Sequence, residues 1–297
     1  MNQFHSFILS MLAVAALLAS RTEAQTVKDS PKSVDKRDVA NSKDLIKSNG
    51  GPLERLQTSP RHHEWEDIDS AGGRKVHTFV AYPQVEKPAT TILVIHENRG
   101  LTDWVRSVAD ELAEAGYLAI APDLLSGTAP GGGGTADYES EDAAIKAIYK
   151  LPPDQVTADL DAVFKYAKQL PASNKVVAVG GFCWGGGQTF NYATHNPDIA
   201  AAFVFYGTAP KDETAYKNIK SPVYGFYGSQ DARITLEVPT VAQRMKQFGK
   251  KYEPITYQGA QHAFMRQGEM AKDPADANRQ ARNQAWERLK KILAELK

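Results

Sequence analysis

Residues 176–187, Val-Val-Ala-Val-Gly-Gly-Phe-Cys-Trp-Gly-Gly-Gly, leave the backbone few choices. The apolar run with its β-branched valines is strand material, and the glycines after it permit a turn too tight for ordinary side chains. A helix begins near Gly185. In a strand that reverses into a helix within two residues, the side chain at the apex points outward, and here that residue is Cys183. The pentad Gly181-Phe182-Cys183-Trp184-Gly185 has the form Gly-x-nucleophile-x-Gly, with cysteine where serine is usual. The helix N-terminus and a neighbouring imidazole both favour a thiolate at such a point. A free cysteine is otherwise a small buried hydrophobe; the strand–turn–helix setting favours the nucleophile.

The remaining chain supplies a sheet for that turn. Apolar or alternating runs at 65–69, 76–82, 90–96, 117–121, 200–206, 222–228 and 252–257 read as strands. Amphipathic stretches at 103–115, 137–149, 154–170, 235–248 and 275–296 read as helices. Residues 90–96 are apolar or β-branched almost throughout, the pattern of a strand covered on both faces. Alternation of this kind predicts an α/β fold with a doubly wound, mostly parallel sheet in a single domain over residues 62–297. The glycine-dense segment 126–135 is expected to lack regular structure, either as a mobile rim over the ligand crevice at the strand ends or as a plain flexible loop.

Ahead of that domain, residues 7–19 form a 13-residue apolar run, short for a bilayer span, and Thr22-Glu23-Ala24 offers small residues at −3 and −1 of a cleavage site. A signal peptide over 1–24 and a periplasmic or secreted mature protein are expected, with a short membrane anchor as the alternative because the n-region lacks Lys and Arg. Residues 25–61 read as a polar linker or tail with a short helix near 44–46. Thirty-five basic residues balance 35 acidic ones, so no global field selects nucleic acid or a membrane surface. With one cysteine there is no intrachain disulfide and no Cys/His spacing for zinc; no metal or cofactor is expected.

A nucleophile needs a base, and the base needs a group that fixes its tautomer. His262 follows the last strand, where a loop returns to the same sheet edge as the elbow. His195 lies late in the elbow helix, His62, His63 and His77 belong to the hairpin region, and His96 is a pocket residue at the end of a strand. Asp231, just past strand 222–228, is the expected orienting carboxylate; a turn or capping aspartate is the plainer reading. The order Cys183, Asp231, His262 is the nucleophile–acid–histidine order of α/β-hydrolases. The backbone N–H groups of Trp184 and Asn98 are the expected oxyanion donors. Glu97 is an awkward neighbour for a thiol unless it handles protons or pairs with a cation.

Taken together, His96-Glu97-Asn98-Arg99-Gly100-Leu101, Ala121-Pro122-Asp123-Leu124, the Cys183 pentad, Gly228-Ser229-Gln230-Asp231 and His262-Ala263-Phe264 resemble the dienelactone hydrolase family over about residues 65–297. The resemblance implies an α/β-hydrolase fold, a Cys183–Asp231–His262 triad, and a Glu97 that restrains the thiol until substrate arrives. It assigns Arg266 to a substrate carboxylate. The family's second arginine has no counterpart near Gly127, and Arg99 is the substitute considered. A hydrolase of small carboxylic esters or lactones is expected; a catalytically silent binding protein on the same fold is the rival class.

Overall fold

The computed structural model describes residues 51–296. The signal-peptide reading of 1–24 and the helix expected near 44–46 lie outside the described residues. Eight strands form one sheet: β1 (His63–Asp69), β2 (Lys75–Ala81), β3 (Ala89–Ile95), β4 (Leu118–Pro122), β5 (Ser173–Phe182), β6 (Ala202–Phe205), β7 (Val223–Gly228) and β8 (Tyr252–Tyr257). Their spatial order is β1-β2-β4-β3-β5-β6-β7-β8. β2 runs antiparallel to β1 and β4, and every other pairing is parallel. The helices are α1 (Pro52–Thr58), α2 (Asp103–Glu114), α3 (Glu141–Ile148), α4 (Pro153–Gln169), α5 (Trp184–His195), α6 (Ala232–Thr235), α7 (Val238–Gln247), α8 (Phe264–Met270) and α9 (Ala277–Glu295). This is the mostly parallel α/β sheet that the alternating pattern predicts.

β3 is buried along its whole length, and its period-2 alternation feeds two cores. Ile92 and Val94 pack with Val105, Val108 and Leu112 of α2 and Ala285 and Leu289 of α9. Leu93 and Ile95 face the other side, with Leu160 and Val163 of α4, Phe190 of α5 and Met245 of α7. Each such side chain contributes roughly 1.5–3 kcal/mol when fully buried. That double cover holds the C-terminal strand ends still, and the site is built there.

Three local features depart from the sequence reading. Helix α7 starts at Val238 rather than 235, with Pro239 in its first turn where a missing N–H is harmless. Helix α8 was not expected; Ala263, at φ 61°, turns the chain into it directly after His262. The glycine-dense segment folds into short 3₁₀ turns at Pro130–Gly132 and Thr135–Asp137. The Asp123 carboxylate pins it to the end of β4, accepting from Thr135 N (2.7 Å), Thr135 Oγ1 (2.7 Å) and Leu125 N (3.0 Å).

Part of the segment read as a polar tail is also ordered against the domain. Leu56 of α1 packs on the core. Asp110 of α2, fully buried, collects Arg61 Nε (2.8 Å), Arg61 Nη2 (2.7 Å), His63 Nε2 (2.8 Å) and Ser59 Oγ (2.6 Å), with Arg55 Nε at 2.8 Å. Burial alone would raise its pKa, but hydrogen bonds from His63, Arg61 and Ser59 and the charge of Arg55 hold it well below the usual carboxylate range. Asp110→Asn is expected to lower unfolding free energy by about 2 kcal/mol, since it removes the buried charge on which Arg55 and Arg61 converge and leaves them Glu114 at 2.6 and 3.8 Å. Urea unfolding midpoints check this. Because the folded carboxylate is the more acidic one, its contribution is present above about pH 4 and is lost as pH falls through its depressed folded value. The gap between wild type and variant therefore narrows in acid.

Candidate active site

The site rests on the bend from β5 into α5. Cys183 sits there at φ 56°, ψ −115°, a conformation that L-residues avoid at a cost of roughly 1–3 kcal/mol. The surroundings hold it: Cys183 N–H donates to Phe205 O of the adjacent strand (3.0 Å), and Cys183 O accepts from Gly187 N (3.2 Å). Gly185 lets the helix start touch the end of β3, since a Cβ there would lie 2.3 Å from His96 O and 2.4 Å from Ile95 O. No other residue fits without opening the elbow.

The Cys183 sulfur faces the backbone N–H groups of both Trp184 and Asn98, the two donors expected of an oxyanion hole. Burial pushes the thiol's pKa up, and the Glu97 carboxylate pushes it the same way. The two N–H groups and the charge of Arg233 offset this only in part. These influences favour the thiol form of Cys183, despite the helix N-terminus beside it.

His262 and Asp231 meet as the triad order requires. Asp231 follows β7, is nearly buried, and places Oδ2 2.5 Å from His262 Nδ1. A carboxylate only accepts, so Nδ1 carries a proton and Nε2 is bare in the neutral ring. Tyr206 packs edge-on to the imidazole at 5.1 Å. It is fully buried, stands at φ 41° just past β6, and its hydroxyl has no hydrogen-bond partner among the described residues. Sequence reading passed over Tyr206, although its place at the end of the strand beside β5 is where an open sheet collects site residues.

Glu97 is 3% exposed, and its Oε2 accepts from Arg266 Nε at 2.9 Å, across 169 residues of chain. Its Oε1 is buried with no hydrogen-bond partner among the described residues. Arg266, which the family resemblance assigns to a substrate carboxylate, is thus engaged by Glu97 in this state. Arg99 pairs with Glu141 of α3 at 3.0 Å, while the side chain of Asn98 donates to the exposed Tyr149 hydroxyl at 3.3 Å. A separate cavity of about 390 Å³, lined by Trp65, Arg74, His77 and the glycine-dense segment, is bordered by none of Cys183, Asp231 and His262.

Known proteins resemble this chain in sequence and fold. The profile of the dienelactone hydrolase family matches residues 76–297. A Yersinia pestis protein provisionally named carboxymethylenebutenolidase is 32% identical over 224 residues, covering 71% of this chain and 82% of the relative. An Escherichia coli K12 protein of the same name is 33% identical over 204 residues, 65% of this chain and 74% of its own. Among solved structures, a Klebsiella pneumoniae protein provisionally described as a dienelactone hydrolase superposes with TM-score 0.68 at 28% identity, covering 79% of this chain and 98% of that one. A Pyrococcus horikoshii acylaminoacyl peptidase shares the fold alone, with TM-score 0.57 at 14% identity over 79% of this chain and 42% of its own. With the family profile spanning the sheet from β2 onward and the elbow at its centre, the chain belongs to the dienelactone hydrolase family of enzymes.

Proposed function

We propose that the protein hydrolyses small carboxylic esters or lactones through a thioester on Cys183. His262 Nε2 takes the thiol proton as sulfur attacks the carbonyl carbon. The Trp184 and Asn98 N–H groups receive the oxyanion. Collapse of the adduct breaks the C–O bond, and the leaving alkoxide takes the proton from His262. In a lactone that alcohol stays tethered to the acyl group. Water, losing a proton to His262, then attacks the thioester and frees the carboxylic acid, and the proton returns to sulfur. The 2.5 Å contact between His262 and Asp231 carries this reading, because it keeps Nε2 free to act as base.

Glu97 suits a latch on this chemistry. Burial, and after it the charge of Glu97, raise the thiol's pKa, and among the described residues Arg266 is the cation paired with Glu97. A substrate carboxylate that competes for Arg266 would break that ion pair, so the environment of the thiol changes when such a substrate binds, while the thiol proton itself passes to His262. The test is p-nitrophenyl acetate under quench: a burst equal to the enzyme concentration is expected, with one acetyl group mapped to the Cys183 peptide. If a panel of esters and lactones binds and none is turned over, the protein is a silent binder on this fold and the proposal fails.

A further inference from the structure

Resting on that reading, we infer that His96 is the positioning residue of the oxyanion hole, aiming the Asn98 N–H through the peptide that joins Glu97 to Asn98. His96 lies one residue past β3 and is fully buried. Its Nδ1 is 2.8 Å from the carbonyl oxygen of Glu97, and its Nε2 is 3.2 Å from the Leu124 backbone nitrogen. A carbonyl accepts and an amide N–H donates, so one protonation state satisfies both: the neutral ring with hydrogen on Nδ1. A protonated ring breaks the Leu124 bond, and the other tautomer breaks both.

The Glu97 carbonyl and the Asn98 N–H belong to the same planar trans peptide, so they point in opposite directions. The oxygen takes its shorter hydrogen bond from His96 and a longer one from Gly100 N (3.2 Å), and holding it there fixes the hydrogen on the far side, toward the Cys183 sulfur. The ring also stacks on Trp184, centroid to centroid at 5.5 Å and 14° from parallel, and Trp184 contributes the second donor. The backbone of His96 in turn abuts Gly185, which permits only hydrogen at that contact. One buried side chain thus braces both donors and ties them, through Leu124, to the end of β4. Burial lowers the ring's pKa against the opposing charge of Asp123, which keeps it in the neutral state these bonds require.

Two substitutions separate the bonds. An asparagine amide reaches the place of Nδ1, whereas a glutamine amide reaches the place of Nε2. His96→Gln keeps the Leu124 contact and leaves the Glu97 carbonyl held by the Gly100 N–H alone (3.2 Å), so kcat for ester acylation is expected to fall by up to about 10²-fold, the lower end for losing one oxyanion donor, with KM within threefold. His96→Asn keeps the peptide bond and is expected to stay within tenfold of wild type.

Alkylation of Cys183 by iodoacetamide develops no oxyanion. Its limiting rate, taken from the pH profile, is therefore expected to match wild type in both variants. The inference is overturned if both variants acylate at the wild-type rate, or if alkylation falls in step with acylation. If neither variant folds, ¹⁵N-histidine NMR of the wild type decides: a neutral Nδ1–H ring unchanged from pH 5 to 9 supports the inference, and a titrating or Nε2–H ring ends it. A wild-type enzyme that turns over no ester defeats the proposed function instead, whatever His96 does.

Discussion

Cys183→Ala is expected to lower kcat on p-nitrophenyl acetate by about 10⁴–10⁶-fold, the range seen when a triad nucleophile is removed. The variant keeps the Trp184 and Asn98 donors and the His262–Asp231 pair, so a remnant above the uncatalysed rate is expected from oxyanion binding alone. Alanine meets the same φ 56° as cysteine, so the strain is unchanged and the thermal midpoint should stay near that of wild type. Cys183→Ser should retain more activity than alanine. It places a hydroxyl nucleophile on the elbow, but a hydroxyl is far less acidic and less nucleophilic than a thiol. Turnover by Cys183→Ala within tenfold of wild type, with the acetyl label found elsewhere, would remove the thioester from the mechanism.

Much of this site is legible in the sequence because its parts obey short-range rules. Glycines flank Cys183 since the elbow allows little else, and Asp231 and His262 each follow a recognisable strand. The two-sided burial of β3 is written in its run of apolar residues. What escapes sequence reading depends on distant contacts. Helix α1 carries few apolar residues, and its anchor is a buried carboxylate on α2, 55 positions away for Arg55. The ion pair of Arg266 and Glu97 joins segments 169 residues apart, so no local pattern reveals that the arginine is already occupied. Tyr206 reads as the end of an ordinary apolar strand until its positive φ turns the ring under His262. His96 is visible as a residue near the site, but its tautomer follows only from the two partners that the folded chain places on it.

Asp231→Asn is expected to reduce kcat/KM by about 10²–10⁴-fold while leaving stability close to wild type. The amide matches the carboxylate in shape, so the turn after β7 survives; there Ile234 N and Thr235 N donate to the Asp231 carbonyl at 3.0 and 2.8 Å. What changes is the imidazole. If the amide presents N–H to Nδ1, the ring must place its proton on Nε2, and the base then faces the thiol with no lone pair. In a serine triad this inversion costs about 10⁴ in kcat. A thiol relies less on its base than a hydroxyl does, because some thiolate exists at neutral pH, and that sets the lower end of about 10². The pH profile separates the two contributions. Without a competent base the rate must follow ionisation of the thiol itself, which burial and Glu97 push upward, so the variant should regain activity as pH rises past the wild-type optimum. An Asp231→Asn enzyme within threefold of wild type across that range would show that the short Asp231–His262 contact does not set the imidazole's tautomer.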